Sequence, residues 1–591
     1  MVVHGEMALV EDMSAKVDQL RAEWNRDFRL ARIWCRDGQL WTGRDEGAWL
    51  GWLDIPEMPG PAADRLAAFV ERLVTDGITR VALLGMGGAT LFPKMIRKMF
   101  RSQTGIELCV LDSTDPAEIR AFQSELDLKK TVFVVSSKSG ATLETDLLGR
   151  YFMRLLEDEM GTHRAMTRFV AITDAGSQLD ELALSKGYRA IFHGDAAVGG
   201  RYSALSYFGL LSCAVLGIDN ERLLARARVM ASLCRSTDES TGNPGVELGV
   251  VLASAVETQH NKLTIVTSEG LSGFGAWLEQ LVAESVGKDG FGLIPIDGET
   301  LSPVSEYGSD RMFVSISLKG DRESFEAKSV ALDELEAGGY PVIRYELDDI
   351  YDIGAECFRW EFAVAVLGAD AGVNPFNQPD VEASKTATKR LTDRLTDGRP
   401  GRVRPSVGRW CYNTGEVKAY APGAYGRWLY RHVRNSSALS GWLKTHLEQV
   451  GPGDYVAILV YLQCNDIFRT QIEDLRRRVR LMTSCATTVG FGPQYLHSTG
   501  QLHKGGPRNV LFLALTCSDS EDVAVPGEVT SFGDVRAAQA QGDEEMLIAK
   551  KHRYLRLHLE GDVLNTLGEV LSAVENKVDA NGNASDVHSD S

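Results

Sequence analysis

The segment Ser136-Ser137-Lys138-Ser139-Gly140-Ala141-Thr142 gathers the donors that a phosphate needs. It follows the unbroken apolar run 132–135 and precedes a helix predicted over about 142–156. The first turn of a helix carries unpaired N–H groups at the positive end of its dipole, and Ser137, Lys138, Ser139 and Thr142 add side-chain donors. Serine and threonine also suit a plain helix cap. Three hydroxyls around a lysine and a glycine exceed what a cap requires, so the spacing predicts a phosphate cradle.

Three further patterns bear on chemistry. In Gly85-Met86-Gly87-Gly88-Ala89-Thr90 the amides of Gly87 and Gly88 can face a small anion. A dinucleotide fingerprint would need a glycine where Thr90 stands, and fails there. In Gly199-Gly200-Arg201-Tyr202-Ser203, the glycines let the backbone approach a ligand, and Arg201 is expected to contact it. Glu284 shares a helical face with Trp277 and Leu281. A carboxylate held against apolar surface binds its proton more tightly and suits a general base. Gln378 and Lys385 fall seven apart on one face of the helix that Asn374-Pro375-Phe376-Asn377 leads into. The loop holding His497 and His503 is too glycine-rich for a helical metal pair, and no metal site is expected.

The elements that must position these residues alternate regularly. Apolar strands at 79–84, 107–111, 131–136, 168–173 and 189–192, with helices between, predict a parallel doubly wound sheet. Ligands bind such sheets at the carboxyl ends of the strands. A second alternating unit starts near 245, with strands at 262–267, 292–296, 311–318, 341–346, 454–462 and 509–516. The expected fold is α/β: two three-layer α/β/α domains with mainly parallel sheets, an N-terminal arm and an insertion. The boundaries are 1–60 for a charged helix and Trp-rich arm, 61–240 and 241–575 for the two domains, about 396–450 for the insertion, and 576–591 for a polar, disordered tail.

Among 591 residues, 44% are hydrophobic and 24% charged, as in a soluble globular chain. The net charge of −18 argues against nucleic acid or an anionic membrane as partner. Nine scattered cysteines without a Cys-x-x-Cys pair suggest reduced thiols and a cytoplasmic location. Neither a signal peptide nor a membrane-spanning stretch is expected.

These motifs together resemble the phosphoglucose isomerases, which are built from two sugar-isomerase (SIS) domains. Residues 198–203 are similar to that family's first signature and 374–385 to its second. The segment 137–145 resembles its phosphate loop, and 279–288 its catalytic-glutamate helix. The likeness runs from roughly residue 30 to 570 and is nearest to the isomerase half of transaldolase–isomerase fusions, through Leu40-Trp41-Thr42-Gly43 and the 496–507 loop. Some 30 leading residues are too few to hold the transaldolase barrel. The resemblance implies interconversion of glucose 6-phosphate and fructose 6-phosphate, without a cofactor, by a homodimer. Glu284 would be the base and Arg201 the stabiliser of the enediolate, Gln378 and Lys385 would line the sugar end, and Lys385 or His503, with His497 as substitute, would open the ring.

The chain departs from the family where Ala89 replaces a serine, Ala141 a threonine, and Tyr207 a small residue or proline. The histidine of the family's Gly-Gln-His is also missing: none occurs between Glu284 and Gln378. The lost hydroxyls leave open a non-catalytic sugar-phosphate sensor, and the first glycine loop leaves open a dinucleotide-dependent oxidoreductase.

Overall fold

The computed structural model describes residues 5–57, 61–237, 242–381, 412–433 and 438–574. Lys385, the first part of the expected insertion and the expected tail lie outside these residues. Sixteen strands, β1 (Glu6–Ala8) to β16 (Arg553–Leu559), form three sheets among the described residues.

The first sheet is the one expected. Strands β2 (Arg80–Gly85), β3 (Glu107–Leu111), β4 (Thr131–Ser136), β5 (Phe169–Asp174) and β6 (Ala190–Gly194) are all parallel, in the order β3-β2-β4-β5-β6. Every residue of β4 is buried, which explains its unbroken apolar run. The chain leaves β2 to one side for β3 and returns on the other for β4, which makes their junction the switch point of the sheet. Gly85 and Ser136 are register partners at its carboxyl edge, so the glycine loop and the cradle leave the sheet side by side.

The second sheet holds β7 (Lys262–Thr267), β8 (Ile294–Ile296), β9 (Arg311–Leu318) and β10 (Val342–Leu347), parallel in the order β10-β9-β7-β8. N-terminal β1 closes its edge antiparallel to β10. The helix Glu11–Arg26 follows, burying Met13, Val17, Leu20 and Trp24 at helical spacing.

The expected second domain, 241–575, needs correction. Its last two predicted strands do not join the second sheet. They become β13 (Tyr455–Tyr461) and β15 (Val510–Cys517), the centre of a third sheet in the order β11-β12-β16-β15-β13-β14. β13 to β16 are parallel, with β14 at Ala486–Phe491. The second half of the expected insertion is the antiparallel edge of that sheet, β11 (Tyr412–Asn413) and β12 (Val417–Tyr420), with helices Gly423–Val433 and Leu439–Leu447. β13 alternates between two interiors. Val456, Ile458 and Val460 face the core of the third unit. Tyr455, Ala457, Leu459 and Tyr461 pack with Ala283, Ile294 and Ile296 of the second. One face of the third sheet is thus fused to the helix that carries Glu284.

The Trp-rich arm also supports this region rather than lying apart from it. Trp52 packs on Tyr202 at 5.3 Å and Trp41 on Phe376 at 5.3 Å between ring centres. Asp45 Oδ1 accepts the side-chain amide N–H of Asn374 at 2.9 Å.

Candidate active site

Gly140 turns the cradle with φ 66°, and a Cβ there would stand 2.7 Å from Leu179 N, so no other residue fits. Thr142 is the N-cap of the helix Leu143–Met160, yet its side chain does not cap it. Its hydroxyl pairs instead with that of Ser137 at 2.9 Å, beside the helix's positive dipole end, where an anion is favoured. The Thr145 hydroxyl, one turn on, is buried without a partner among the described residues. Lys138 and Ser139 differ from expectation. Lys138 Nζ bonds Asp174 and, at 2.9 Å, the Asp195 carbonyl, because the turn aims its side chain along the edge of the sheet. Ser139 is exposed, and its hydroxyl accepts the Ala141 N–H at 3.3 Å.

The two glycine loops meet backbone to backbone. A Cβ on Gly88 would stand 2.2 Å from the Gly200 carbonyl oxygen, and one on Gly87 2.8 Å from that of His497. The dinucleotide alternative loses support here. Asp112, the acid a ribose would need, is buried and paired with Lys94 at 2.5 Å and with the Thr90 hydroxyl at 3.1 Å.

Arg201 and Glu284 lie side by side. The guanidinium is 3.6 Å from Glu284 Oε1, with the two side chains 2% and 11% exposed. Arg201 is held rigidly: Nε donates to Ser285 Oγ at 2.7 Å, one terminal nitrogen to Gln378 Oε1 at 3.0 Å, and the other to the Pro375 and Asn377 carbonyls at 2.5 and 3.0 Å. The planar fork of arginine is what lets one side chain serve all these acceptors. Gln378 is thus tied directly to Arg201.

Sequence reasoning missed several members of this network. Gln280, one turn before Glu284, donates to its Oε2 at 3.1 Å and to the His497 carbonyl at 2.8 Å. Lys288, one turn after it, is buried and donates to the Asn374 and Asn377 carbonyls at 2.6 and 2.5 Å and to Asn377 Oδ1 at 3.0 Å. Burial and nearby Arg201 push this amine down to about 6, against the pull of Glu284. The i±4 spacing of Gln280, Glu284 and Lys288 was the available signal.

The histidines are the largest correction. His503, expected in the site, is buried between Tyr495 and Phe512, at 5.9 and 5.4 Å between ring centres. Both of its ring nitrogens lack partners among the described residues, and burial holds it down at about 3. The loop does not lie open: its 500–505 stretch is a short helix pressed against the core. His497 is the histidine brought to the cradle. Its Nε2 lies 2.9 Å from Glu144 Oε1, which also accepts the Gln539 amide N–H at 2.6 Å. Ser137, Gly140, Thr142, Glu144, His497 and Gln539 line one cleft of about 880 Å³. No cluster of metal-ligating side chains occurs among the described residues, and none of their helices is long and apolar enough to cross a membrane.

The arrangement joins an anion cradle, a carboxylate beside a fixed guanidinium, and a carboxylate-oriented imidazole. The pattern of the phosphoglucose isomerase family matches residues 68–302. Similar proteins include glucose-6-phosphate isomerases of Synechococcus elongatus, 28% identical over 426 residues with 63% of this chain and 78% of that one covered, and of Mycoplasmopsis pulmonis, 29% identical over 390 residues with 58% and 90% covered. Two solved structures share the fold. One is a hypothetical protein from Thermus thermophilus, with TM-score 0.55 and 23% identity over 65% of this chain and 99% of that one. The other is a glucose-6-phosphate isomerase from Chlamydia trachomatis, with TM-score 0.54 and 18% identity over 65% and 87%. The match to the phosphoglucose isomerase family pattern, residues 68–302, takes in the glycine loops, the Ser137–Thr142 turn, Arg201 and Glu284.

Proposed function

We propose that the chain is a glucose-6-phosphate isomerase, interconverting glucose 6-phosphate and fructose 6-phosphate. The observation that carries this reading is the Glu284 carboxylate standing 3.6 Å from the immobilised Arg201 guanidinium. Glu284 takes the proton from C2 and returns it to C1, and Arg201 stabilises the enediolate oxygen that gains charge between the two transfers. Because Ser285, Gln378 and two carbonyls fix the guanidinium in advance, little reorganisation accompanies the reaction. The cradle at Ser137, Thr142 and the first-turn amides holds the phosphate away from the chemistry.

His497 opens the ring in this reading, exchanging a proton with the ring oxygen and the anomeric hydroxyl. Glu144 on one ring nitrogen orients the imidazole, as a carboxylate does in other acid–base pairs. Lys385 stays a second candidate for this step. The reading includes a homodimer, the cytoplasm as location (every described cysteine is free), and kinship with the isomerase half of transaldolase–isomerase fusions, supported by the 40–43 and 496–507 motifs.

The test is direct assay of the purified protein with fructose 6-phosphate in deuterated water. Formation of glucose 6-phosphate with solvent deuterium at C2 is expected. Ligand binding without turnover would favour a sensor and overturn the isomerase.

A further inference from the structure

We propose that Gln501 is a positioning residue, a three-way joint through which the third sheet's unit sets the spacing between the Glu284 helix and the 374–381 segment. The inference rests on the isomerase reading. Gln501 is fully buried and its amide is satisfied on both sides. Oε1 accepts the backbone N–H of Asp380 at 3.0 Å. Nε2 donates to Asp380 Oδ2 at 2.8 Å and to the Gly287 carbonyl at 3.0 Å. Gly287 caps the helix that carries Glu284, and Asp380 lies two residues beyond Gln378, which holds Arg201. One side chain therefore ties the base helix to the segment that seats the guanidinium.

Two neighbours complete the joint. Lys550, from the end of the helix Phe532–Ala549, forms an ion pair with Asp380 Oδ1. Gly505 leaves the space that the joint occupies: a Cβ there would stand 2.4 Å from Asp380 Oδ2, 2.5 Å from Gln501 Nε2 and 2.8 Å from the Gly287 oxygen. The backbones are fastened beside it, with Gly290 N–H donating to the Gly505 carbonyl at 2.9 Å. The joint binds no substrate. It acts by keeping Arg201 and Glu284 in register, and misplacement of reacting groups by about 1 Å costs on the order of a hundredfold in rate.

The experiment compares Gln501→Met, Asp380→Ala, their double variant, Lys550→Arg and Lys550→Met, each first shown to be folded by thermal melting. Gln501→Met and Asp380→Ala should lower kcat roughly tenfold to a hundredfold and leave KM within about threefold, because the phosphate cradle is untouched. The double variant should be no slower than the worse single one, since both break one joint. Lys550→Arg should keep the activity that Lys550→Met loses. A folded Gln501→Met with kcat within about twofold of wild type, or additive losses in the double variant, would overturn the proposal. If the wild type itself turned nothing over, the isomerase reading would fall separately. Hydrogen exchange would still judge the joint: faster exchange of the Asp380 amide in Gln501→Met is expected, and unchanged exchange would sink it.

Discussion

His497 Nε2 and Glu144 Oε1 lie 2.9 Å apart although 353 residues separate them in the chain. One belongs to the third sheet's unit and the other to the first turn of the helix Leu143–Met160, so this contact exists only when both units have folded together. It gives a specific expectation. His497→Ala should slow turnover of the cyclic sugar phosphate roughly a hundredfold or more, while proton exchange at C1 of an open-chain analogue falls far less. Glu144→Gln should show the same asymmetry in weaker form. Equal loss on both substrates would remove His497 from ring opening.

Glu284→Gln should abolish isomerisation and leave sugar-phosphate binding within a few-fold. The replacement is nearly isosteric and can still accept from Gln280, but it takes no proton. The expected loss is on the order of 10²–10⁴ in kcat, read as disappearance of solvent deuterium from C2. Turnover within tenfold of wild type would assign the base elsewhere.

How much of this was legible beforehand depended on whether the signal was local. The strands of the first sheet each follow from a few consecutive residues, and the structure reproduces them. Arg201 and Glu284 stood out because glycine crowding and helical spacing are also local. The third sheet did not stand out. β13 and β15 read clearly as strands, but which sheet a strand joins depends on partners such as β16, whose Arg553, Arg556 and His558 hide its apolar face. The same cause explains His503. A sequence rich in glycine suggests an open loop, whereas those glycines admit close backbone packing against the Glu284 helix, and a Cβ on Gly287 would stand 2.5 Å from the Leu502 Cα.

Ala141→Thr should tighten substrate binding. Ala141 is exposed at the rim of the cleft, beside the first turn of the helix Leu143–Met160, so an added hydroxyl there is expected to meet the phosphate without displacing the core. A charge-assisted hydrogen bond contributes about 1.5–3 kcal/mol when fully formed, so KM should fall about tenfold or more. The thermal midpoint should hardly move. An unchanged KM would mean that backbone amides alone hold the phosphate.

The last expectation concerns the buried histidines and pH. Burial holds His446 and His503 down at about 3, and His552 and His558 at about 4. In the unfolded chain each titrates near 6.5. Above that pH neither state binds these protons and the stability is fully present. As the pH falls below 6.5 the unfolded chain takes them up first, so stability is lost progressively toward the folded values, with a slope of about 1.4 kcal/mol per pH unit for each histidine. Carboxyls such as Glu118, raised to about 7, act in the opposite direction, so the informative quantity is a difference between variants rather than the wild-type slope. His503→Leu provides it. Neither ring nitrogen has a partner to lose among the described residues, and replacing an unpaired buried group by an apolar one is close to neutral or stabilising. Urea unfolding should find the variant near wild type at pH 7.5 and more stable by about 2 kcal/mol at pH 5. Isomerase activity should survive, because His503 touches Tyr495 and Phe512 rather than the cleft. A variant with an unchanged pH slope and abolished turnover would return His503 to the active site.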